Sequence, residues 1–180
     1  MRPLWARSFV GGSGVDGVLA EQILYPDNSL VRNPDHLSYQ EASTLIIVGL
    51  TAWSAIVSHG HATADDWVLL HGTGGVSIFG AKIAKLLGAR TILTTGSKEK
   101  AVIVKKHFGV TETLAYKDED WPEQAKGLTD GMGANIIVDV AGGSTLAKSV
   151  KACAPYGRIA LIGVLDGVES SLNTIELIMR

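Results

Sequence analysis

The chain has 180 residues, 46% of them hydrophobic and 19% charged, the proportions of a globular domain with one full-sized core. A formal net charge of -2 and a pI near 6.2 provide no basic field for a phosphate backbone, which argues against a nucleic-acid reader. The single cysteine, Cys153, excludes an intramolecular disulfide; with an opening "MRPLWARSF" that lacks a signal-peptide core, it leads to the expectation of a cytoplasmic protein.

In chain order, "GVLAEQILYPDNSLVRNP" reads as extended segments broken by Pro26 and Pro34. Ser38 and Glu41 have the spacing of a capping box, so a helix is expected to start there. The stretch "SYQEASTLIIVGLTAWSAIVSHG" reads as two helices. Its apolar part is interrupted by Ser43, Thr44, Gly49, Thr51 and Ser54 and is expected to be buried helix rather than a membrane span. From Val68 onward, short apolar runs alternate with amphipathic ones. "VLLH" precedes a helix over Val76 to Leu87, "TILTT" a helix over Lys98 to His107, and "ETLAY" an acidic, solvated loop around Trp121 and Pro122 that leads into a short helix. "NIIVDV" then precedes a helix over Ser144 to Ala154, and "RIALIG" closes the series. This alternation predicts an α/β fold with a doubly wound parallel sheet. Val76, Phe79, Ile83 and Leu87 recur at spacings of three and four, and this face of the first helix is expected to cover the sheet. Gly88 and Gly109 stand where left-handed residues end helices. Five strands are countable after Trp67 where a complete sheet usually has a sixth, so the chain reads as a piece of something larger.

In "HGTGGVS", Gly72, Gly74 and Ser77 occupy the three positions of a G-x-G-x-x-G/A fingerprint between a strand and a helix. Gly72 allows the tight turn and Gly74 lets a pyrophosphate approach the backbone. Gly75, Val76 and Ser77 begin a helix whose unpaired N–H groups and dipole favour an anion. A plain tight turn is the alternative. The motif predicts a dinucleotide fold with strand order 3-2-1-4-5. Sites that prefer NAD carry an acidic residue about 20 residues beyond the first glycine. Here the second strand ends Thr94, Thr95, Gly96, Ser97, Lys98, and no acidic residue lies between Asp66 and Glu99. Ser97, Lys98 and Lys100 could donate to a 2'-phosphate, which favours NADP(H). The alternative is that the lysines form the solvated first turn of a helix.

Other chemistry is sparse. His59 and His61 lack a third ligand, and Cys153, late in a helix, reads as core. His71 ends the first strand beside Gly72 and receives no catalytic role. Asp139, inside an apolar strand, needs buried partners, and backbone N–H groups near Gly142 and Gly143 are the expected ones.

The blocks "DGVLAEQILYP", "LVRNPDHLSYQEASTL", "GLTAWSAIV", "WVLLHGTGGVS", "VDVAGGSTLAKS" and "APYGRIALIGV" together resemble the medium-chain dehydrogenase/reductase superfamily, in its zinc-type alcohol dehydrogenase-like and quinone oxidoreductase branches. The resemblance implies NADP(H) across the carboxyl ends of the strands, Thr51 near the nicotinamide, Lys100 and Tyr116 at the 2'-phosphate, and Gly163 and Val164 as backbone beside the nicotinamide. It also implies that residues 1–37 are a remnant of an incomplete GroES-like catalytic domain and that residues 38–180 form the cofactor domain. Zinc-containing members carry a cysteine ligand where this chain has Ile47, which cannot ligate the metal. The expectation is an NADPH-dependent, zinc-independent oxidoreductase that passes hydride to a carbonyl, quinone or activated alkene, with no metal site. Its partner is a small-molecule substrate rather than nucleic acid or membrane, and a homodimer is left open. A non-catalytic NADP(H)-binding module and a zinc-dependent alcohol dehydrogenase stand as alternatives. A methyltransferase shares the sheet but wants an acidic residue where Gly96 and Ser97 stand.

Overall fold

The computed structural model describes residues 16–179, so the reading of the first residues as lacking a signal-peptide core lies outside the described residues. The chain divides into two units, Met1–Tyr39 and Gln40–Arg180. The described part of the first unit holds no strand; it has one 3-10 turn at Asp27–Ser29 following Pro26 and a hydrogen-bonded turn from Pro34 to Leu37.

The second unit holds a five-stranded sheet, all parallel: β1 (Trp67–His71), β2 (Arg90–Thr95), β3 (Glu112–Ala115), β4 (Ala134–Asp139) and β5 (Cys153–Leu161), in the order β3-β2-β1-β4-β5. This is the expected doubly wound arrangement, with the order reversing between β1 and β4. All five residues of β1 are buried, as a central parallel strand requires. Side-chain alternation divides the core. Val68, Leu70, Leu93, Ile136 and Val138 pack on one face with Ile56, Ala81 and Ala84. Trp67, Leu69, Ile92 and Ile137 pack on the other with Trp121, Ala125 and Cys153.

A helical run, α1 (Tyr39–Ser58), precedes the sheet, with π-helical turns at Leu45–Gly49 and Ser54–Ser58. It is one run rather than two helices, and its small and polar residues do not interrupt it. By length and composition it is long and apolar enough to cross a membrane, contrary to the expectation that it would fall short. Nor is it the buried helix expected: only Ala42, Ala52, Ala55 and Ile56 on it are buried, while Tyr39, Ile46, Ile47, Leu50 and Trp53 are exposed, because a single narrow face of it packs on the sheet unit.

The crossovers are α2 (Gly75–Leu87), α3 (Lys98–Phe108), α4 (Trp121–Leu128) and α5 (Gly143–Ala152), and α6 (Thr174–Ile178) follows the sheet. Three expectations change here. The buried stripe of α2 is Ser77, Gly80, Ala81 and Ala84, while Val76, Ile83 and Leu87 flank the core half-buried. The reason is proximity: a Cβ on Gly80 would stand 2.8 Å from Leu70 Cδ2 and 3.2 Å from Ile56 Cδ1, so small residues let helix and strand approach where bulky ones could not. Trp121 belongs to the core, 1% exposed, rather than to a solvated loop. Pro122 beside it sits in the first turn of α4, where its missing N–H costs nothing. Cys153 is buried but begins β5, because α5 ends at Ala152 and the chain passes straight into the strand. Gly88 and Gly109 end α2 and α3 in the left-handed conformation, as expected.

Candidate functional site

The carboxyl ends of β1, β2 and β4 open onto a crevice where the strand order reverses. On its β1 side the chain turns at Gly72 (φ 74°) and enters α2 from Gly74. A Cβ built on Gly72 or on Gly74 meets nothing within 4 Å, so the turn borders open space. Gly74 offers no side chain to cap α2, leaving the first-turn N–H groups of Gly75, Val76 and Ser77 without a side-chain acceptor from that residue. The Ser77 side chain does not face this space: its hydroxyl is buried and donates to the His71 carbonyl at 2.7 Å, tying helix to strand. Gly75 faces α1, since its Cβ would lie 3.1 Å from Val48.

At the end of β2, a cleft of about 240 Å³ is lined by Gly72, Thr73, Thr95, Gly96, Ser97, Lys100 and Tyr116. The structure thus brings the glycine turn together with three of the four residues expected at a 2'-phosphate, Ser97, Lys100 and Tyr116. It also explains the glycine where a carboxylate could have stood: a Cβ on Gly96 would fall 2.6 Å from the Tyr116 ring. Lys98 lies apart, on a neighbouring cleft with Ala101, Thr113 and Leu114. Ser97 caps α3, accepting the Lys100 N–H at 3.2 Å, and its hydroxyl donates to Glu99 Oε2 at 2.5 Å. That hydrogen bond, followed by one from the backbone, holds the exposed Glu99 carboxyl below the usual range. An acidic group therefore stands beside the cleft after all, brought there by the first turn of α3.

A further cleft, about 490 Å³, lies between α1 and the end of β5 and is lined by Thr51, Ser54, His59, Leu161 and Ile162 among others. Gly163 and Val164 follow β5 in a segment that runs alongside the turn after β4, with Ile162 N–H donating to the Asp139 carbonyl and Leu165 N–H to that of Val140. Gly163 is held against Val140, where a Cβ would collide with the carbonyl, and Val164 is 55% exposed.

Beneath the crevice runs a buried polar chain. His71 Nδ1 lies 3.2 Å from Thr94 Oγ1, and its Nε2 lies 2.9 Å from Ser149 Oγ. Ser149 donates to Asp139 Oδ2 at 2.8 Å, while Asp139 Oδ1 accepts the N–H groups of Ala141 and Gly142 at 2.9 and 3.0 Å. The backbone partners expected for Asp139 are therefore present. Burial pushes the His71 pKa below the ordinary histidine range, against the opposing pull of Asp139. Trp121 meets the imidazole edge-on, centroids 5.2 Å apart. Sequence reading missed Thr94, Ser149 and Trp121. Thr94 and Ser149 gave little signal, because β2 carries three threonines and α5 carries Ser144, Thr145 and two lysines besides. It also missed Asp166, which reaches the start of α5, accepting from the Ser144 hydroxyl at 2.7 Å and from Thr145; these bonds, Ser144 foremost, hold its carboxyl below the usual range.

Among the described residues no three His, Cys, Asp or Glu side chains gather as metal donors, and Ile47 lies exposed on α1.

The family model described as "Zinc-binding dehydrogenase" matches residues 75–180. Among curated proteins, a zinc-type alcohol dehydrogenase-like protein of Schizosaccharomyces pombe is 35% identical over 174 residues, covering 94% of this chain and 50% of the relative. A quinone oxidoreductase of Pseudomonas aeruginosa is 29% identical over 162 residues, covering 89% and 50%. Among solved structures, an alcohol dehydrogenase-like protein of Sinorhizobium meliloti 1021 superposes with a TM-score of 0.88 at 43% identity, covering 96% of this chain and 50% of that one. An NAD-dependent alcohol dehydrogenase gives 0.81 at 34%, covering 93% and 49%, and a mycobacterial protein complexed with NADPH gives 0.74 at 30%, covering 81% and 45%. The chain thus spans about half the length of the curated relatives it matches. With the fold, the glycine turn and these matches in hand, the chain belongs to the zinc-binding dehydrogenase family of the medium-chain dehydrogenase/reductase superfamily and comprises its cofactor-binding portion.

Proposed function

We propose that this chain holds NADP(H) and belongs to an oxidoreductase that passes hydride to a carbonyl, quinone or activated alkene without zinc. The observation that carries the reading is the cleft in which Lys100, Ser97 and Tyr116 meet Gly72 at a strand end left without a carboxylate. A 2'-phosphate there gains the Lys100 cation and the Tyr116 hydroxyl, with the Ser97 hydroxyl a further donor if it turns from Glu99. The open space over Gly72 and Gly74, beside the uncapped start of α2, fits a pyrophosphate. Thr51 lines the cleft between α1 and the end of β5, and Gly163 and Val164 follow that strand, so these are the residues that would frame the nicotinamide end.

The dinucleotide supplies the hydride when bound, and the chain's own residues bind, orient and exclude water. The α2 N–H groups hold the pyrophosphate. Lys100 with Tyr116 fixes the adenosine end, and Val164 with Thr51 frames the reacting end. Zinc independence rests on the donor set: Ile47 offers no ligand and the described residues assemble none. Titration of nicotinamide fluorescence tests the cofactor, with NADPH expected to bind more tightly than NADH; equal or reversed affinity overturns the choice. Metal analysis of chelator-washed protein tests the other half, where one zinc per chain would overturn it.

A further inference from the structure

We infer that Asp139, Ser149, His71 and Thr94 form a hydrogen-bond relay of fixed direction that pre-sets the Gly72 peptide, making His71 a positioning residue for the glycine turn. The direction follows from donor counting. Asp139 accepts at both oxygens, from two backbone N–H groups at Oδ1 and from Ser149 at Oδ2, so the single Ser149 proton points to Oδ2. Ser149 Oγ is then left as an acceptor, and His71 Nε2 must carry the ring proton that reaches it. In the neutral ring favoured by burial, Nδ1 is consequently a lone pair, and the Thr94 hydroxyl donates to it. Thr94 Oγ1, its proton spent, accepts the Gly72 N–H at 3.2 Å. Every member is more than nine-tenths buried, which strengthens the bonds, and His71 and Thr94 form part of the floor of a cleft of about 420 Å³. The other end of the chain holds the N–H groups of Ala141 and Gly142. One relay therefore spans the crevice floor from the turn after β4 to the turn after β1, and it links two backbone turns that share no direct hydrogen bond in the relay.

The relay's effect on affinity rests on the dinucleotide reading above, whereas its direction does not. Nitrogen-15 ring shifts of the unliganded wild-type chain should show His71 neutral and protonated on Nε2; protonation on Nδ1 overturns the relay. Asp139→Asn should keep both backbone N–H bonds on the amide oxygen and present its NH2 to Ser149. The Ser149 proton then turns to His71, and the ring proton moves to Nδ1, a reversal that a merely structural role would not produce. Amide exchange at Gly72 should quicken about tenfold in Ser149→Ala, where the ring loses its Nε2 anchor and its hold on Thr94, and NADPH affinity there should fall about tenfold, the effect of one buried hydrogen bond. Unchanged ring shifts in Asp139→Asn, or unchanged exchange and affinity in Ser149→Ala, overturn the relay. If the wild-type chain binds neither dinucleotide, the cofactor reading fails and takes the relay's role in affinity with it, while the ring and exchange results still decide its direction.

Discussion

Two glycine turns stand at the same edge of the sheet, each after a strand and before a helix, and they use glycine for opposite reasons. Around Gly72 and Gly74 an added Cβ would meet open space. At Gly142 and Gly143 it would meet backbone: the Gly163 carbonyl at 2.9 Å and the Gly167 carbonyl at 3.0 Å for the first, and the Asp166 carbonyl, closer still, for the second. The first turn makes room for something outside the protein. The second lets the segment after β5 run against the turn after β4, where Gly142 and Gly167 pair as an isolated parallel bridge. A glycine pair between strand and helix is therefore a ligand signal only when the space above it is open.

The largest effect that separates the turns is on stability. Gly143→Ala puts a side chain at φ 49° against the Asp166 carbonyl and should destabilise the chain by about 3 kcal/mol. Chemical denaturation measures this, and a change within 0.5 kcal/mol, the size of an ordinary surface substitution, would erase the contrast. Gly74→Val is the counterpart. Gly74 sits at φ -77°, which any residue adopts, so the far-UV dichroism and melting temperature should stay near wild type while dinucleotide affinity falls by about a hundredfold or more. Retained binding in a calorimetric titration would mean that the open turn is not the ligand's seat.

Charge sharpens the comparison further. Lys100→Met keeps the side-chain stem and removes the cation, so NADPH affinity should drop about tenfold and NADH affinity should barely move. Equal losses for both would place Lys100 away from the 2'-phosphate. Glu99→Gln should act in the opposite sense and more weakly. Replacing the carboxylate by an amide removes a like charge and loosens its hold on the Ser97 hydroxyl, and the NADPH-to-NADH preference should rise by about two- to fivefold. A falling ratio would show that Glu99 organises the cleft rather than opposing the phosphate.

The smallest signal is acid sensitivity at His71, which lies between the turns. Its pKa is lower in the folded chain than in the unfolded one, so the unfolded state binds the extra proton first. The associated stability is present above the ordinary histidine range and is lost as pH falls below about 6.5. Melting temperatures followed downward from pH 7 should decline in wild type, and the decline should be shallower in His71→Gln.

The sequence by itself determined the sheet. Apolar runs of strand length alternating with helical periods have one compact solution, and the strand order, the glycine turn and the left-handed helix ends followed from local chemistry. It also determined that Asp139 needed backbone partners, because a carboxylate inside an apolar strand has few ways to be satisfied. The rest depended on distance between segments far apart in the chain. Periodicity pointed to the bulky face of α2, but the separation of helix, strand and α1 selected the face of Ser77, Gly80, Ala81 and Ala84. Trp121 looked solvated among its acidic neighbours until α4 turned it against His71. Lys98 and Lys100 were equivalent by charge, and the resemblance alone singled out Lys100; the helix, which rotates successive residues by about 100°, is what sends Lys100 to the cleft with Tyr116 and Lys98 to the neighbouring one. Composition records which groups a chain owns; whether a glycine borders a void or a carbonyl, and which hydroxyl completes a buried relay, is set by packing between residues such as His71 and Ser149 that are 78 positions apart.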